Sequence, residues 1–165
     1  MEQRNVARTT NYLFVFDEQR DNTYAVQSSG VADLNLGETL FGSQPKDLYI
    51  PSNKITSAPF VVQFLLSEDH REWIDMYKWM LTLKNAKASP YPDLVRTCEL
   101  IALDSQNQPA TRFTYYDCFP VDISSIQYTS QGESDALVFD VTLRYNRFRV
   151  TTPDGEIIDE NYGSN

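Results

Sequence analysis

The chain has 165 residues, the length of one domain, and its 41% hydrophobic and 13% aromatic content is too rich in core-forming residues for a disordered chain. Its formal net charge of −9 argues against a protein that grips nucleic acid or anionic lipid through a basic face, because phosphate binding depends on Lys and Arg. Four acids lie in the last thirteen residues, which leaves −5 for residues 1–152; they are Asp154, Glu156, Asp159 and Glu160.

The small number of histidines and cysteines excludes most metal chemistry. Structural zinc needs about four such ligands, and the chain has one His and two Cys. Cys98 and Cys118 lack Cys-x-x-Cys spacing, and we expect free thiols in the core. The first residues lack the apolar core of a signal peptide, and no segment nears the ~18 apolar residues of a membrane span. We therefore expect a soluble protein made in a reducing cytoplasm, with no metal and no cofactor.

The N-terminal part of the chain predicts strands and a long excursion. Residues 11–16 and 23–28 are β-forming and flank a polar turn, which predicts a hairpin. Residues 29–58 contain glycines, prolines and short apolar pieces, and we predict an extended arm with strand-like segments that is functional or packed against something else. Residues 59–66 are apolar on both faces except at Gln63, which is typical of a central strand.

One helix is predicted, at about residues 67–85. Ser67 is the expected N-cap, and Lys84 and Lys87 lie near the expected end, where the helix dipole favours cations. Apolar residues recur at three- and four-residue steps, and we interpret this stripe as core rather than as a cofactor site: Trp73, Met76, Tyr77, Met80 and Leu81.

The C-terminal part predicts two strand pairs. Residues 94–103 and 111–119 flank a hairpin loop at 104–109, and residues 121–129 and 136–150 flank another at 130–135. From Phe139 to Tyr145 apolar residues alternate with polar ones, so one face should pack the core. Residues 153–165 predict a turn and a loose acidic tail after a single domain at 1–152. The element order predicts a mainly β fold, a β-sandwich or barrel with one packed helix.

The only histidine does not predict an active site. In the first turn of the predicted helix, His70 is expected to face solvent. A triad of His70 with Ser67 and either Asp69 or Asp75 is rejected, because side chains on one helix project outward in fixed directions and do not converge.

Other polar patterns have plainer structural interpretations. Asp117, Asp122 and Asp140 have the side chains for acid–base catalysis, but the first two border Phe119-Pro120, where acids usually hydrogen-bond the backbone. Residues 37–42 lack the Lys-Ser/Thr that follows a phosphate loop. A short basic strip is interpreted as intermolecular salt-bridge partners or a solvated strand face rather than a nucleic-acid site: Arg144, Arg147 and Arg149 with Tyr145 and Phe148 interleaved. We therefore expect no catalytic, cofactor-binding or metal residues, and a structural protein rather than an enzyme.

Three segments carry a family pattern. Residues 60–69 lead into the helix with Trp73 and Trp79, residues 100–109 follow, and residues 119–128 precede the Phe-x-Val-Thr-Leu strand at 139–145. From residue 58 to residue 150 the chain resembles the tail tube and baseplate tube-initiator proteins of contractile-tailed bacteriophages. The last segment is the most specific, because a proline, a short strand, a turn and such a strand close the tube domain in that family.

The resemblance implies a tail-tube-like subunit that assembles into a hexameric ring. Strands of neighbouring subunits would form an inner β-barrel through which double-stranded DNA passes without tight binding, and the arm would pack on the next ring. It also implies a location in the virion tail after assembly in the host cytoplasm, with sheath, tape measure and baseplate proteins as partners. The alternatives are a baseplate tube initiator, a tail terminator, a secretion-system tube protein of the haemolysin-coregulated type, and a small-ligand-binding β-barrel.

Overall fold

The computed structural model describes residues 10–16, 26–43, 46–86, 94–130 and 136–163. These residues form ten strands and one helix, in the order β1 (Tyr12–Phe16), β2 (Val26–Ser29), β3 (Leu34–Ser43), β4 (Lys46–Ser57), β5 (Phe60–Leu65), α1 (Arg71–Asn85), β6 (Arg96–Leu103), β7 (Pro109–Ile123), β8 (Val138–Arg144), β9 (Arg147–Thr151) and β10 (Ile157–Ile158).

Eight strands form one antiparallel network that folds into two layers joined by β7. The first part of β7 pairs with β6 and β9, and β1 and β10 extend this first layer on either side. The last part of β7 pairs with β8, and β5 and β2 complete the second layer. The layers do not close into a barrel, since β1 and β2 lie at opposite ends of the strand order. The predicted mainly β fold with one helix is confirmed, as an open sandwich.

A β-bulge lets β7 pass from one layer to the other. The pair Cys98–Tyr115 is followed by Arg96–Cys118, so β7 has one more residue than β6 between the two pairs. Within this bulge Asp117 has a left-handed φ of 57°. Such a bulge bends the strand and increases its twist, which directs the end of β7 into the second layer.

Aromatic side chains from both layers fill the interior. Phe60 of β5 stacks on Tyr115 of β7 with ring centroids 4.3 Å apart, and Phe16 of β1 stacks on Phe64 of β5 at 6.0 Å. Each fully buried side chain of this size contributes about 1.5–3 kcal/mol to folding. The buried cluster comprises Phe16, Ala32, Phe60, Val62, Phe64, Met76, Trp79, Cys98, Leu100, Tyr115, Cys118, Phe139, Val141, Leu143 and Tyr145. The space between the layers is therefore filled by the protein's own side chains.

Several predicted strand pairings are wrong. β1 and β2 do not form a hairpin, because β1 pairs with β6 and β2 with β5; the predicted turn at 17–22 lies outside the described residues. The strands predicted at 111–119 and 121–129 are one strand, β7, which ends at Ile123. The strand predicted at 136–150 is two, and the break at Tyr145 and Asn146 lies where the chain crosses between layers. Alternation indicates which face is buried, but not which strands are neighbours.

The helix begins later than predicted. Its N-cap is His70, with a left-handed φ of 57°, and not Ser67. A turn from Ser67 to His70 precedes the helix, and the Ser67 hydroxyl lies 2.6 and 2.7 Å from carboxylate oxygens of Asp69 and Glu72. On the inner face of α1 the buried residues are Met76 and Trp79. The predicted stripe correctly included Met76, but Tyr77 is exposed and Trp79 takes its place in the core.

Two local predictions concern polar segments of the C-terminal part. The loop at 104–109 is confirmed: the Asp104 carboxylate accepts hydrogen bonds from the N–H groups of Gln106 and Gln108 at 2.7 and 2.9 Å. The tail predicted to be loose instead turns back, and β10 pairs with Val150 and Thr151 of β9. Most of the second predicted loop, residues 131–135, lies outside the described part of the chain.

Candidate functional site

The predicted arm is a β-hairpin whose strands, β3 and β4, pair with each other in a sheet of their own. Near its tip Leu40 lies opposite Tyr49, and Phe41 lies opposite Leu48. Because successive residues point to opposite faces, both faces of the hairpin are apolar. Tyr49 is 66% exposed and Phe41 60% exposed. Exposed apolar surface of this extent is typical of a protein interface.

The base of the arm is held by a buried tyrosine. The N–H of Ala32, just before β3, donates a hydrogen bond of 3.2 Å to the Tyr115 hydroxyl in the core. Across the base, the N–H of Ala58 donates to the carbonyl of Asp33 at 3.0 Å. Burial raises the pKa of Tyr115, so the phenol stays neutral. The arm therefore leaves the body at a defined point, although its strands lie outside the main sheet.

The second layer has two edges open to further pairing within the described residues. β2 pairs with β5 alone, at one edge. At the other edge residues 120–123 of β7 pair with β8 alone. Each open edge presents backbone N–H and C=O groups to which another strand can add. A second copy of the chain could pair its β2 edge with this β7 edge, which is a head-to-tail contact.

The outward face of the second layer carries a mixture of side chains. In β5 the inner face is buried at Phe60, Val62 and Phe64, while Val61 is exposed, so β5 is paired on both sides but covered on one face only. Opposite Gln63 lies Asp140, and opposite Val61 lies Thr142. This face therefore has no concentration of positive charge along β5 and β8.

The structure does not assemble the serine–histidine triad. His70 hydrogen-bonds the Tyr128 hydroxyl through Nε2, and its Nδ1 lies 2.9 Å from the carbonyl oxygen of Glu68. Ser67 instead contacts Asp69 and Glu72, as described above. These hydrogen bonds lower the pKa of Glu72, although burial alone, the largest effect, would raise it. The hydrogen bonds of Ser67 and His70 join the start of α1 to neighbouring segments, which is typical of a structural turn.

The three aspartates occupy separate structural positions. Asp117, in the bulge of β7, forms an ion pair with Arg147 at 3.5 Å. Asp122 lies opposite Thr142 in the pairing of β7 and β8, whereas Asp140 lies opposite Gln63 of β5. The glycine-flanked run at 37–42 lies within β3, so it is a strand and not a phosphate loop.

The basic strip is divided between two strands. Arg144 ends β8, whereas Arg147 and Arg149 lie on β9 and both stack over the Tyr116 ring, with 5.2 Å from each guanidinium carbon to the ring centroid. Tyr145 and Phe148 pack in or against the core instead of interleaving with the arginines at the surface. No local sequence pattern indicates a role for Tyr116, because β7 brings it to β9 through pairing that such a pattern does not show.

Within the described residues, no group of three or more His, Cys, Asp or Glu is placed to hold a metal ion. Cys98 and Cys118 are buried and not disulfide-bonded, as expected. Among the same residues, no helix has the length and apolar character needed to cross a membrane. A surface recess of about 380 Å³ beside the end of α1 is lined mainly by apolar residues: Met80, Leu83, Lys84, Ala86, Leu94, Phe119 and Pro120.

The fold is that of tube, cap and baseplate subunits of contractile injection systems. It matches the anti-feeding prophage tube-terminating cap with a TM-score of 0.67 and 11% identity, covering 92% of this chain and 95% of that one. A chain of the 6-fold symmetrised anti-feeding prophage baseplate matches with a TM-score of 0.67 and 15% identity, over 93% and 99% of the two chains. Hcp1 from an E. coli pathovar matches with a TM-score of 0.58 and 12% identity, over 91% and 97%.

In sequence, the chain is similar to the tail tube terminator protein of Enterobacteria phage T4, with 32% identity over 110 residues. The match spans 62% of this chain and 60% of the T4 protein, which is less than two thirds of that relative's length. No family model matches the chain. The resemblance to the contractile tail tube family is confirmed. The T4 protein is a tail component and the fold neighbours come from a cap and a baseplate, in agreement with the expectation of a protein that is not an enzyme.

Proposed function

We propose that the chain is a structural subunit of the tail tube of a contractile-tailed bacteriophage, and that it forms a ring of six copies. The observation that carries this proposal is the β3–β4 arm, whose two apolar faces extend from an otherwise packed sandwich. A monomer gains nothing from such a surface, whereas a stacked assembly buries it between subunits.

The open edges of the second layer supply the contact around the ring. The β2 edge of one copy adds to the β7 edge of the next, which makes a continuous sheet and leaves no exposed edge in this layer once the ring closes. The outward face of that layer then lines the channel. The mixed side chains of this face, together with the net charge of −9 of the whole chain, suit a channel along which double-stranded DNA slides without being held.

Within the tail, we assign the chain the role of tube terminator. Support comes from the T4 terminator, at 32% identity, and from the fold likeness to the anti-feeding prophage cap. A terminator stacks on the tube through one end of its ring, and its partners at that end are tube and sheath subunits. The main tube subunit and the baseplate initiator are the other members of the proposed class, with tape measure and baseplate proteins as partners.

Negative-stain electron microscopy and sedimentation of the concentrated, purified chain test these roles. Isolated six-membered rings or short stacks support the terminator. Long filaments indicate a main tube subunit, because an unrestricted head-to-tail contact between rings continues indefinitely. A strict monomer at every concentration contradicts the ring. Binding to double-stranded DNA that weakens steeply with salt contradicts a channel without tight contacts.

A further inference from the structure

The surface recess beside the end of α1 adjoins the open edge of the second layer, where residues 120–123 of β7 pair with β8 alone. Phe119 and Pro120 line the recess from β7. Leu83 and Lys84 line it from α1. No acidic side chain among the described residues lines it. A strand that adds to this edge therefore brings its neighbouring residues against a largely apolar hollow that carries one positive charge.

The pairing within the second layer indicates which residues of a next copy reach this recess. Phe60 of β5 lies opposite Leu143 of β8, and Leu143 lies opposite Pro120 of β7. Ser29, the last residue of β2, pairs two residues further along β5. An extension of β2 by two residues therefore brings Val31 level with the row that ends at Pro120.

The strand directions allow this row to continue from one copy to the next. All neighbouring pairs in the order β2-β5-β8-β7 are antiparallel, so in a ring the β2 of the next copy also runs antiparallel to β7. Level continuation of the row places Val31 of the next copy beside Pro120. A register shift of one residue is excluded, because it exchanges the two faces of the added strand. Val31 is 46% exposed in the single chain, so its side chain has surface to bury in the recess.

A pair of opposite charges accompanies these apolar surfaces. Asp33 follows Val31 by two residues and is exposed, and Lys84 is exposed where it lines the recess. Neither Asp33 nor Lys84 has an ion-pair partner among the described residues. The backbone of Asp33 is held at the base of the arm, where its carbonyl accepts the hydrogen bond from Ala58. Complementary charges across an interface favour one register over the others.

We propose, on the basis of the ring proposed above, that the recess binds residues 31–33 of the next copy. Val31 packs against Pro120 and Leu83, and Asp33 pairs with Lys84. A second copy is favoured over an unrelated peptide because the strand pairing that closes the ring also delivers this segment to the recess. The contact adds apolar burial and a charge pair to the backbone hydrogen bonds of the added strand, and so fixes the register between copies.

Disulfide trapping between two single-cysteine variants of the full chain tests the contact. Asp33→Cys and Lys84→Cys are mixed and treated with a mild oxidant, and the native Cys98 and Cys118 do not compete because they are buried. The mixture should give about tenfold more covalent dimer than either variant alone, because the contact raises the effective concentration of the two thiols. Thr82→Cys is the matched control for Lys84→Cys: Thr82 is also exposed near the end of α1, but about 200° around the helix from Lys84.

Exchange of the two charges provides a result that misfolding does not imitate. Asp33→Lys and Lys84→Asp should each weaken assembly by about three- to tenfold in sedimentation velocity, because like charges then face each other. The double variant restores the pair with the signs exchanged and should recover most of the loss. It also has the same net charge as the wild-type chain, so a general effect of charge does not explain the recovery.

The outcomes separate this contact from the ring on which it rests. Rings that form without the specific covalent dimer overturn the contact and leave the ring intact. The specific dimer in chains that do not form rings supports the contact and contradicts the ring, and the absence of both contradicts both. The contact is also overturned if Thr82→Cys is trapped as readily as Lys84→Cys, or if the double charge variant assembles no better than the single ones.

Discussion

Removing the aromatic side chains at the tip of the arm should weaken assembly roughly a hundredfold without affecting the folded subunit. The substitutions are Phe41→Thr and Tyr49→Thr, one on each face of the hairpin, and threonine keeps the preference for strand. An aromatic side chain presents about 150–250 Å². Since these two are 60% and 66% exposed, each offers roughly 100–150 Å² to a partner.

At about 25 cal/mol per Å², burial of each side chain in an interface contributes about 3 kcal/mol. If half of that surface is covered in the assembly, the double variant loses about 3 kcal/mol per contact, or roughly a hundredfold in affinity. The free energy of unfolding of the subunit should change by less than about 0.5 kcal/mol, because both side chains are exposed in the monomer.

Sedimentation velocity across a concentration series, together with urea unfolding, measures both quantities. Tyr162→Thr is the matched control: Tyr162 is 64% exposed, but it lies in the C-terminal turn and not on the arm. The reasoning is refuted if the arm variant assembles at the wild-type concentration, or if Tyr162→Thr impairs assembly equally.

Three further outcomes follow from the core and the helix start. Tyr115→Phe leaves the buried N–H of Ala32 without its acceptor and should lower the free energy of unfolding by about 1–3 kcal/mol in urea; an unchanged midpoint would contradict the anchoring of the arm. The pKa of Glu72 is lowered in the folded state from its usual 4.5, so its stabilisation is present above pH 4.5 and is lost as the pH falls through the folded value. Ser67→Ala should therefore flatten the fall in melting temperature below pH 4.5, and an identical acid profile would count against the Ser67–Glu72 contact. Cys98 and Cys118 should react with a thiol reagent only after unfolding, and rapid labelling of the native protein would show that this part of the core opens.

Local patterns were sufficient for much of the fold. The alternation at 139–145 correctly predicted that Phe139, Val141 and Leu143 face the core, and the polar run at 104–109 correctly predicted a loop. In both cases the signal lies within a few consecutive residues. The arm was predicted for a similar reason, since its glycines, prolines and short apolar pieces did not fit a compact unit.

The same local patterns do not predict which strands pair when the strands are far apart in the sequence. β1 and β2 are close in sequence and were expected to pair, yet they occupy opposite ends of the strand order. One extra residue at Asp117 redirects β7, and no periodic signal indicates it in advance. The same limit applies to the contact of Arg147 and Arg149 with the Tyr116 ring, because it depends on the pairing of β7 with β9.

The continuity of β7 has a mechanical consequence for the proposed ring. This 15-residue strand carries both the edge proposed for the ring contact, at 120–123, and Tyr115, which holds the base of the arm. At about 3.3 Å per residue its length along the chain is roughly 50 Å, measured through the bend at the bulge. In the proposed assembly, force applied to the ring would reach the base of the arm through covalent backbone and one hydrogen bond. Contacts around the ring and contacts made by the arm would then be strained together, and the assembly would respond to load as a unit.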